Sequence, residues 1–248
     1  MTGAEGVAVA AAGLAAGAIN AVVGSGSLIT FPTLLAVGYP AVLANVSNTV
    51  GLVPGAASGA IGYRRELAGQ RRRVLALLPA ALAGGVCGAA LLLAVPGAFR
   101  DVVPVLILVA VVLVLIQPWA ARRRADAGRV VEHPGPVLYA GVFLASIYGG
   151  YFGAGQGVIY LSLLGLTLDD DLQRLNGAKN LISAFVNAVA GVVFIIWANV
   201  NWWIVLLLGI SSVVGGQIGA VLGRRIPANV LRAAIVIVGT GVAIKLLV

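Results

Sequence analysis

NAVVGSGSLITFPTLL at Asn20–Leu35 and GGYFGAGQGVIYLSLL at Gly149–Leu164 are two copies of one pattern. Gly24 and Gly26 align with Gly153 and Gly155, and the apolar runs behind them keep step for about a dozen residues. The likeness covers residues 13–59 and 141–191. Each copy continues into an apolar helix with a polar opening, NVSNTVG at Asn45–Gly51 and NGAKNLIS at Asn176–Ser183. There Asn48 aligns with Asn180 and Gly59 with Gly191, after three extra residues in the second copy. Lys179 stands at the position of Ser47. A repeated pair of short, glycine-interrupted apolar segments is the pointer a sequence gives to a transporter's substrate site.

Composition sets the class. Of 248 residues, 60% are hydrophobic and 10% charged, and the mean hydropathy is +1.06. A soluble domain carries about a quarter charged residues. Apolar stretches near the bilayer-spanning length of ~20 residues recur along the chain, which predicts a multi-span membrane protein. The longest polar stretch is the loop Arg122–Pro134, so no soluble domain is expected. The opening MTGAE lacks the basic flank of a signal peptide, so the first apolar segment is expected to be retained. A net charge of +8 points to nucleic acid only if its position is ignored. The arginines fall in short loops between spans, as the positive-inside rule requires.

Ten apolar segments are predicted: Val7–Val23, Leu28–Val37, Ala41–Tyr63, Val74–Val95, Val102–Trp119, Val137–Tyr151, Val158–Leu168, Ala178–Trp197, Trp202–Leu222 and Val230 to the end. The second and seventh are too short to cross. At ~1.5 Å per residue they cover roughly half of a ~30 Å hydrocarbon core, so they read as half-helices.

Basic loops orient the path. Arg64, Arg65, Arg71, Arg72 and Arg73 lie between segments three and four. Arg122, Arg123, Arg124 and Arg129 separate five from six, and Arg224 and Arg225 separate nine from ten. The loops Pro96–Asp101 and Ala198–Asn201 are almost free of positive charge, and Trp197, Trp202 and Trp203 around the latter read as an interfacial aromatic belt. With the basic loops in the cytoplasm, segments three and eight, four and nine, and five and ten run in opposite senses. The expectation is an all-α polytopic membrane protein of two inverted-topology repeats. Each has about five helical segments, with short broken or half-helices at the repeat interface. Residues 1–120 form the first repeat, 121–135 a cytoplasmic linker and 136–248 the second, in a single transmembrane domain with both termini outside.

Inverted repeats place a site near the bilayer midplane. Glycine-rich backbone at that depth is tolerated where it is buried or lines a wet cavity. The half-helices begin directly after GSGS and GAGQG, so their first N–H groups and positive dipole ends are expected to face an anion. The alternative is that the glycines only let helices approach closely. Candidate substrate-binding residues are Gly24, Ser25, Gly26, Ser27 and Asn48 from the first copy, and Gly153, Gly155, Gln156, Lys179 and Asn180 from the second. Lys179 would supply a point charge and the two asparagines hydrogen bonds. It could equally snorkel to the interface or pair with Asp169–Asp171. Asn187 and Gln217 either line the pathway or bond a neighbouring helix.

The duplicated GSGSLITFPTLL and GAGQGVIYLSLL motifs, each followed by an asparagine-containing helix start, resemble the TauE/SafE sulfite exporter family. The resemblance covers nearly the whole chain. It implies an integral membrane transporter of small sulfur-containing or organic anions, such as sulfite and sulfonates.

Other chemistries find little footing. Glu5, Glu66, Asp101, Asp126, Glu132, Asp169, Asp170 and Asp171 all fall in loops or at segment ends, so no intramembrane acid relay is visible. His133 is a loop residue beside Pro134, Cys87 reads as a small packing residue, and no ligand cluster suggests a metal or cofactor. No acid–base–nucleophile set lies within a span, which argues against an enzyme. An inside-negative potential favours anion exit by about 2.3 kcal/mol per charge per 100 mV. With the substrate class that the resemblance implies, the expected activity is potential-driven export of sulfite or organosulfonates across the cytoplasmic membrane. The alternatives are an uptake carrier for another small organic anion and a non-transporting accessory protein.

Overall fold

The computed structural model describes residues 2–126, 135–168, 170–222 and Ile237. Its regular elements are all helices: α1 Gly3–Val22, α2 Ser27–Ala36, α3 Ala41–Gly62, α4 Arg71–Ala94, α5 Pro96–Asp126, α6 Pro136–Tyr151, α7 Gln156–Thr167, α8 Leu172–Trp197 and α9 Trp202–Leu222. Apart from Ile237, the tenth expected segment lies outside the described residues, as do Arg224, Arg225, Lys245, His133 and Asp169. Four helices are long and apolar enough to cross a bilayer: Gly3–Val22, Arg71–Ala94, Leu172–Trp197 and Trp202–Val221. The chain is a multi-pass membrane protein.

Three boundaries differ from the sequence reading by six residues or more. Helix α8 begins at Leu172 rather than Ala178, because Asp171 caps it by accepting from the Gln173 N–H. Asn176 is thereby about one turn, and Lys179 and Asn180 about two turns, inside the helix. Helix α5 begins at Pro96 and continues through Arg122–Arg124 to Asp126. A hydropathy scan stops where polar residues begin, whereas a helix needs only backbone geometry and tolerable propensity. The short pair behaves as expected: α2 has 10 residues and α7 has 12.

Small residues set the packing. Gly13 of α1 lies against Leu208 and Ser211 of α9, and Gly17 against Ser212 and Gly216, so these two helices run parallel. Gly84 of α4 meets Phe143 and Ser146 of α6, and Gly88 meets Ile147 and Tyr151, again in parallel. Helix α3 also runs parallel to α9, with Gly51 on Leu208, Gly55 on Ser212 and Gly62 on Ala220. Helices α3 and α8 are antiparallel: Gly177 faces Tyr63 and Glu66, while Gly191 faces Val50 and Val53. Close backbone approach of this kind is how helices associate where lipid removes the hydrophobic drive. Cys87 is exposed rather than packed, because the contact positions on α4 are taken by Gly84, Gly85 and Gly88.

The two larger apolar cores among the described residues draw on different helix faces. One gathers Phe31, Phe99, Phe152 and Phe194, with the Phe31 and Phe152 rings edge-to-face at 5.2 Å. The other gathers Leu77, Leu138, Tyr160, Leu164 and Ile182. Helices α3 and α8 turn Val53, Ala57, Ile61, Leu181 and Phe185 into an apolar groove of about 400 Å³ on one face of the pair. Their other face carries Gly55, Gly59, Asn180, Ser183 and Asn187, and the candidate site lies there.

Candidate functional site

Both glycine motifs break the backbone in the same way. At the end of α1 the Ile19 carbonyl accepts from the Val23 and Gly24 N–H groups, at 2.7 and 3.0 Å. At the end of α6 the Tyr148 carbonyl accepts from Phe152 and Gly153, at 2.9 and 3.1 Å. Gly24 then takes φ +86° and Gly153 φ +76°. This left-handed turn suits glycine because a Cβ would crowd the carbonyl. The copies part at the next glycine: Gly155 is left-handed and caps α7, whereas Gly26 is right-handed and donates to Asn20 Oδ1 at 2.7 Å.

The two breaks touch. Gly157 N–H donates to the Gly24 carbonyl at 3.1 Å. The remaining first-turn donors of α7 also stay within the protein, Gln156 on Gly153 O and Val158 on Gly155 O. In α2, Leu28 bonds Ser25 O and Ile29 bonds Gly26 O. One of the N–H groups expected to meet a ligand, that of Gly157, thus ties the two breaks together in this conformation, and the others named here bond carbonyls of their own break. Backbone donors at membrane depth cannot be left bare when no water is at hand.

Between the breaks lies a cavity of about 20 Å³ lined by Asn20, Ala21, Gly24, Ser27, Gly55, Ala56, Gly59, Gly153, Gln156, Asn180, Ser183 and Asn187. That is room for about one water molecule. Of the ten candidate residues, Gly24, Ser27, Gly153, Gln156 and Asn180 line it. The other five surround it. Ser25 and Gly26 are buried in the first break, and Asn48 donates to Ser27 Oγ at 3.3 Å. Gly155 backs onto Ala110 of α5.

Lys179 is fully buried, at 0% exposure. Its Nζ donates to the carbonyls of Asn20 and Ala21, at 3.2 and 3.4 Å, and Asn180 Nδ2 donates to Ala21 O at 3.0 Å. The ammonium therefore sits on the last turn of α1. Snorkelling is not its arrangement, and the nearby Asp170 is engaged instead by Arg73 and Arg174. The corresponding end of α6 is met by Asn45, whose Nδ2 reaches Tyr151 O at 3.0 Å.

Asn20, Ser183 and Asn187 complete the polar lining and were not among the candidates. Asn187 both lines the cavity and accepts from Gln156 Nε2 at 2.8 Å, joining its two anticipated roles. Gln217 bonds Ser58 of α3 instead. The signal for Asn187 and Ser183 was their helical spacing from Asn180, which puts all three on one face of α8. Gln156 Oε1 and Ser183 Oγ are buried with no hydrogen-bond partner among the described residues.

The family profile described as "Sulfite exporter TauE/SafE" matches residues 9–246. The chain belongs to the TauE/SafE family. Among its relatives is the "Probable membrane transporter protein ORF9" of Sinorhizobium sp, 26% identical over 237 residues, spanning 94% of this chain and 88% of that protein. A "Probable membrane transporter protein" of Haemophilus influenzae is 26% identical over 227 residues, 91% of this chain and 88% of its own length. "Probable membrane transporter protein YfcA" of Escherichia coli K12 is 26% identical over 243 residues, 94% and 86% of the respective chains. No solved structure matches. Family and relatives support a membrane transporter with a small-molecule substrate for this TauE/SafE chain.

Proposed function

We propose that this transporter exports sulfite or an organosulfonate across the cytoplasmic membrane through the cavity between its two glycine breaks. One observation carries the reading. The breaks meet at a polar cavity with no carboxylate in its lining, beside the buried ammonium of Lys179. The site is formed by Gly24, Ser25, Gly26, Ser27 and Asn48 from one half and Gly153, Gly155, Gln156, Lys179 and Asn180 from the other. When the breaks part, Gly157 N–H leaves the Gly24 carbonyl, and a substrate oxygen takes its place. The hydroxyls of Ser27 and Ser183 add donors. Opening and binding are then one event, and the 20 Å³ cavity widens to the size of the anion.

Residues 1–120 and 136–248 act as inverted repeats about an axis in the membrane plane, joined by the cytoplasmic linker 121–135, with both termini outside. Support comes from the antiparallel α3 and α8, and from the parallel pairing of both α1 with α9 and its counterpart α6 with α4. The shared carbonyl pattern at the breaks adds to it. Export follows from the potential, worth about 2.3 kcal/mol per charge per 100 mV.

The test is efflux from proteoliposomes of sulfite, sulfoacetate, taurine and sulfate under an imposed potential. Sulfite or sulfonate flux that rises with inside-negative potential supports the proposal. Flux of none of them, or flux indifferent to the potential, overturns it. Uphill entry of another organic anion favours the uptake alternative.

A further inference from the structure

We infer that Lys179 is a tethered cation, its ammonium occupying the broken C-terminal end of α1 where a carrier of this architecture would otherwise seat a coupling ion such as Na⁺. The inference rests on the reading of the chain as a broken-helix transporter and concerns how its site is charged. Helix α1 ends inside the protein at Val22, and the negative end of its dipole, worth about half a charge, falls on the carbonyls of Asn20 and Ala21. In broken-helix transporters, such half-helix ends and unwound carbonyls are what coordinate the driving cation. Here the Lys179 Nζ lies on both carbonyls. It is a cationic group that enters with the polypeptide and, being covalently attached, cannot leave the site as a bound ion would.

Capping alone does not require the charge. At the matching end of α6 the neutral Asn45 amide bonds Tyr151 O. The residue aligned with Lys179 is Ser47, whose hydroxyl is used by the Asn201 N–H. A single break thus carries an ammonium, and it is the break that contributes Asn20 and Ala21 to the cavity. The described carboxylates lie at helix ends or in connections, so carbonyl dipoles balance this charge as they would a bound Na⁺. Two of the three ammonium donors are taken by these carbonyls. A site with its cation built in holds an anion without recruiting one from solution.

The test is the thermal stability of purified protein in NaCl, KCl and choline chloride at equal concentration, without any anionic substrate. Wild type is expected to melt at one temperature in all three salts. Lys179→Ala, which empties the ammonium position, is expected to melt several degrees higher in NaCl than in choline chloride, with saturation as Na⁺ is raised. Lys179→Met, which fills the space without charge, is expected to show no such rise. A Na⁺-dependent rise in wild type overturns the inference, as does a folded Lys179→Ala that is indifferent to Na⁺. If Lys179→Ala yields no folded protein, wild-type flux in Na⁺ against choline medium decides, and Na⁺-dependent flux overturns it. Because the melting arm uses no substrate, a flat anion panel beside a Na⁺-rescued Lys179→Ala would sink the anion assignment and leave the tethered cation standing.

Discussion

Gly24→Ala tests whether the two breaks must touch, because Gly24 combines two constraints that can be separated. Its φ of +86° is one, and placing alanine there costs about 1–2 kcal/mol. The second is contact: a Cβ at Gly24 would stand 2.5 Å from the Gly157 Cα and 2.9 Å from its carbonyl carbon. These are backbone atoms and cannot swing aside, so overpacking adds about 1–3 kcal/mol. Pushing the breaks apart also weakens the 3.1 Å bond from Gly157 N–H to Gly24 O, worth about 0.5–1.5 kcal/mol. The expected loss is about 3–6 kcal/mol. Gly38 supplies the control. Its φ is +97°, and a Cβ there meets nothing within 4 Å, so Gly38→Ala costs about 1–2 kcal/mol of strain alone. Thermal unfolding in detergent reads the gap, at roughly 2–4 °C per kcal/mol for a chain of this size. Gly24→Ala is expected to melt well below Gly38→Ala and to lose transport, while Gly38→Ala keeps it. Equal melting temperatures for the two variants would refute the claim that the breaks are in contact.

Asp170 accepts from Arg73 and Arg174, the latter at 2.6 Å, tying the start of α4 to α8. Its burial opposes ionisation, but the two guanidiniums outweigh that and hold the carboxyl below its ordinary value of 3.8. A depressed folded-state pKa stabilises above the ordinary value and is lost as the pH falls through the depressed one. Asp170→Asn is therefore expected to cost about 1 kcal/mol at neutral pH, with the gap to wild type closing as the pH drops below 3.8. A pH-independent gap in melting temperature would remove the ion-pair account. Asn45→Ala strips a donor from the part-buried Tyr151 carbonyl and Asn180→Ala one of two donors from the buried Ala21 carbonyl, and each is expected to cost about 0.5–1.5 kcal/mol. Only Asn180 lines the cavity, so at matched stability Asn180→Ala should impair flux and Asn45→Ala should not. Gln156→Leu breaks the bond to Asn187 and lines the cavity with carbon. The expected result is a several-fold fall in anion flux with the protein still folded, read in the same vesicles.

Apolar segments, basic loops and the duplicated motif could all be read along one strand of text, because each is a local property. Hydropathy marked where chain enters lipid, glycine pairs marked where helices break, and arginines separated one set of connections from the other. Class, the broken helices and membership of the TauE/SafE family were legible for that reason. Helix starts made of polar residues were not. Asp171 caps α8 seven residues before its apolar run, and that cap puts Lys179 two turns inside the helix instead of at an interface. The partner of Lys179 could not be read at all. Asn20 and Ala21 are distant in sequence and offer backbone carbonyls, which every residue possesses and which leave no mark in a sequence. The fate of the half-helix N–H groups was hidden in the same way, since Gly157 meets Gly24 only when the two halves pack. Sequence alone determined that the chain is a membrane transporter with two glycine breaks. Tertiary structure decided that the breaks hold each other closed and that a lysine caps one of them. Those facts depend on backbone groups brought together across the chain, and backbone groups are the same whatever the residue.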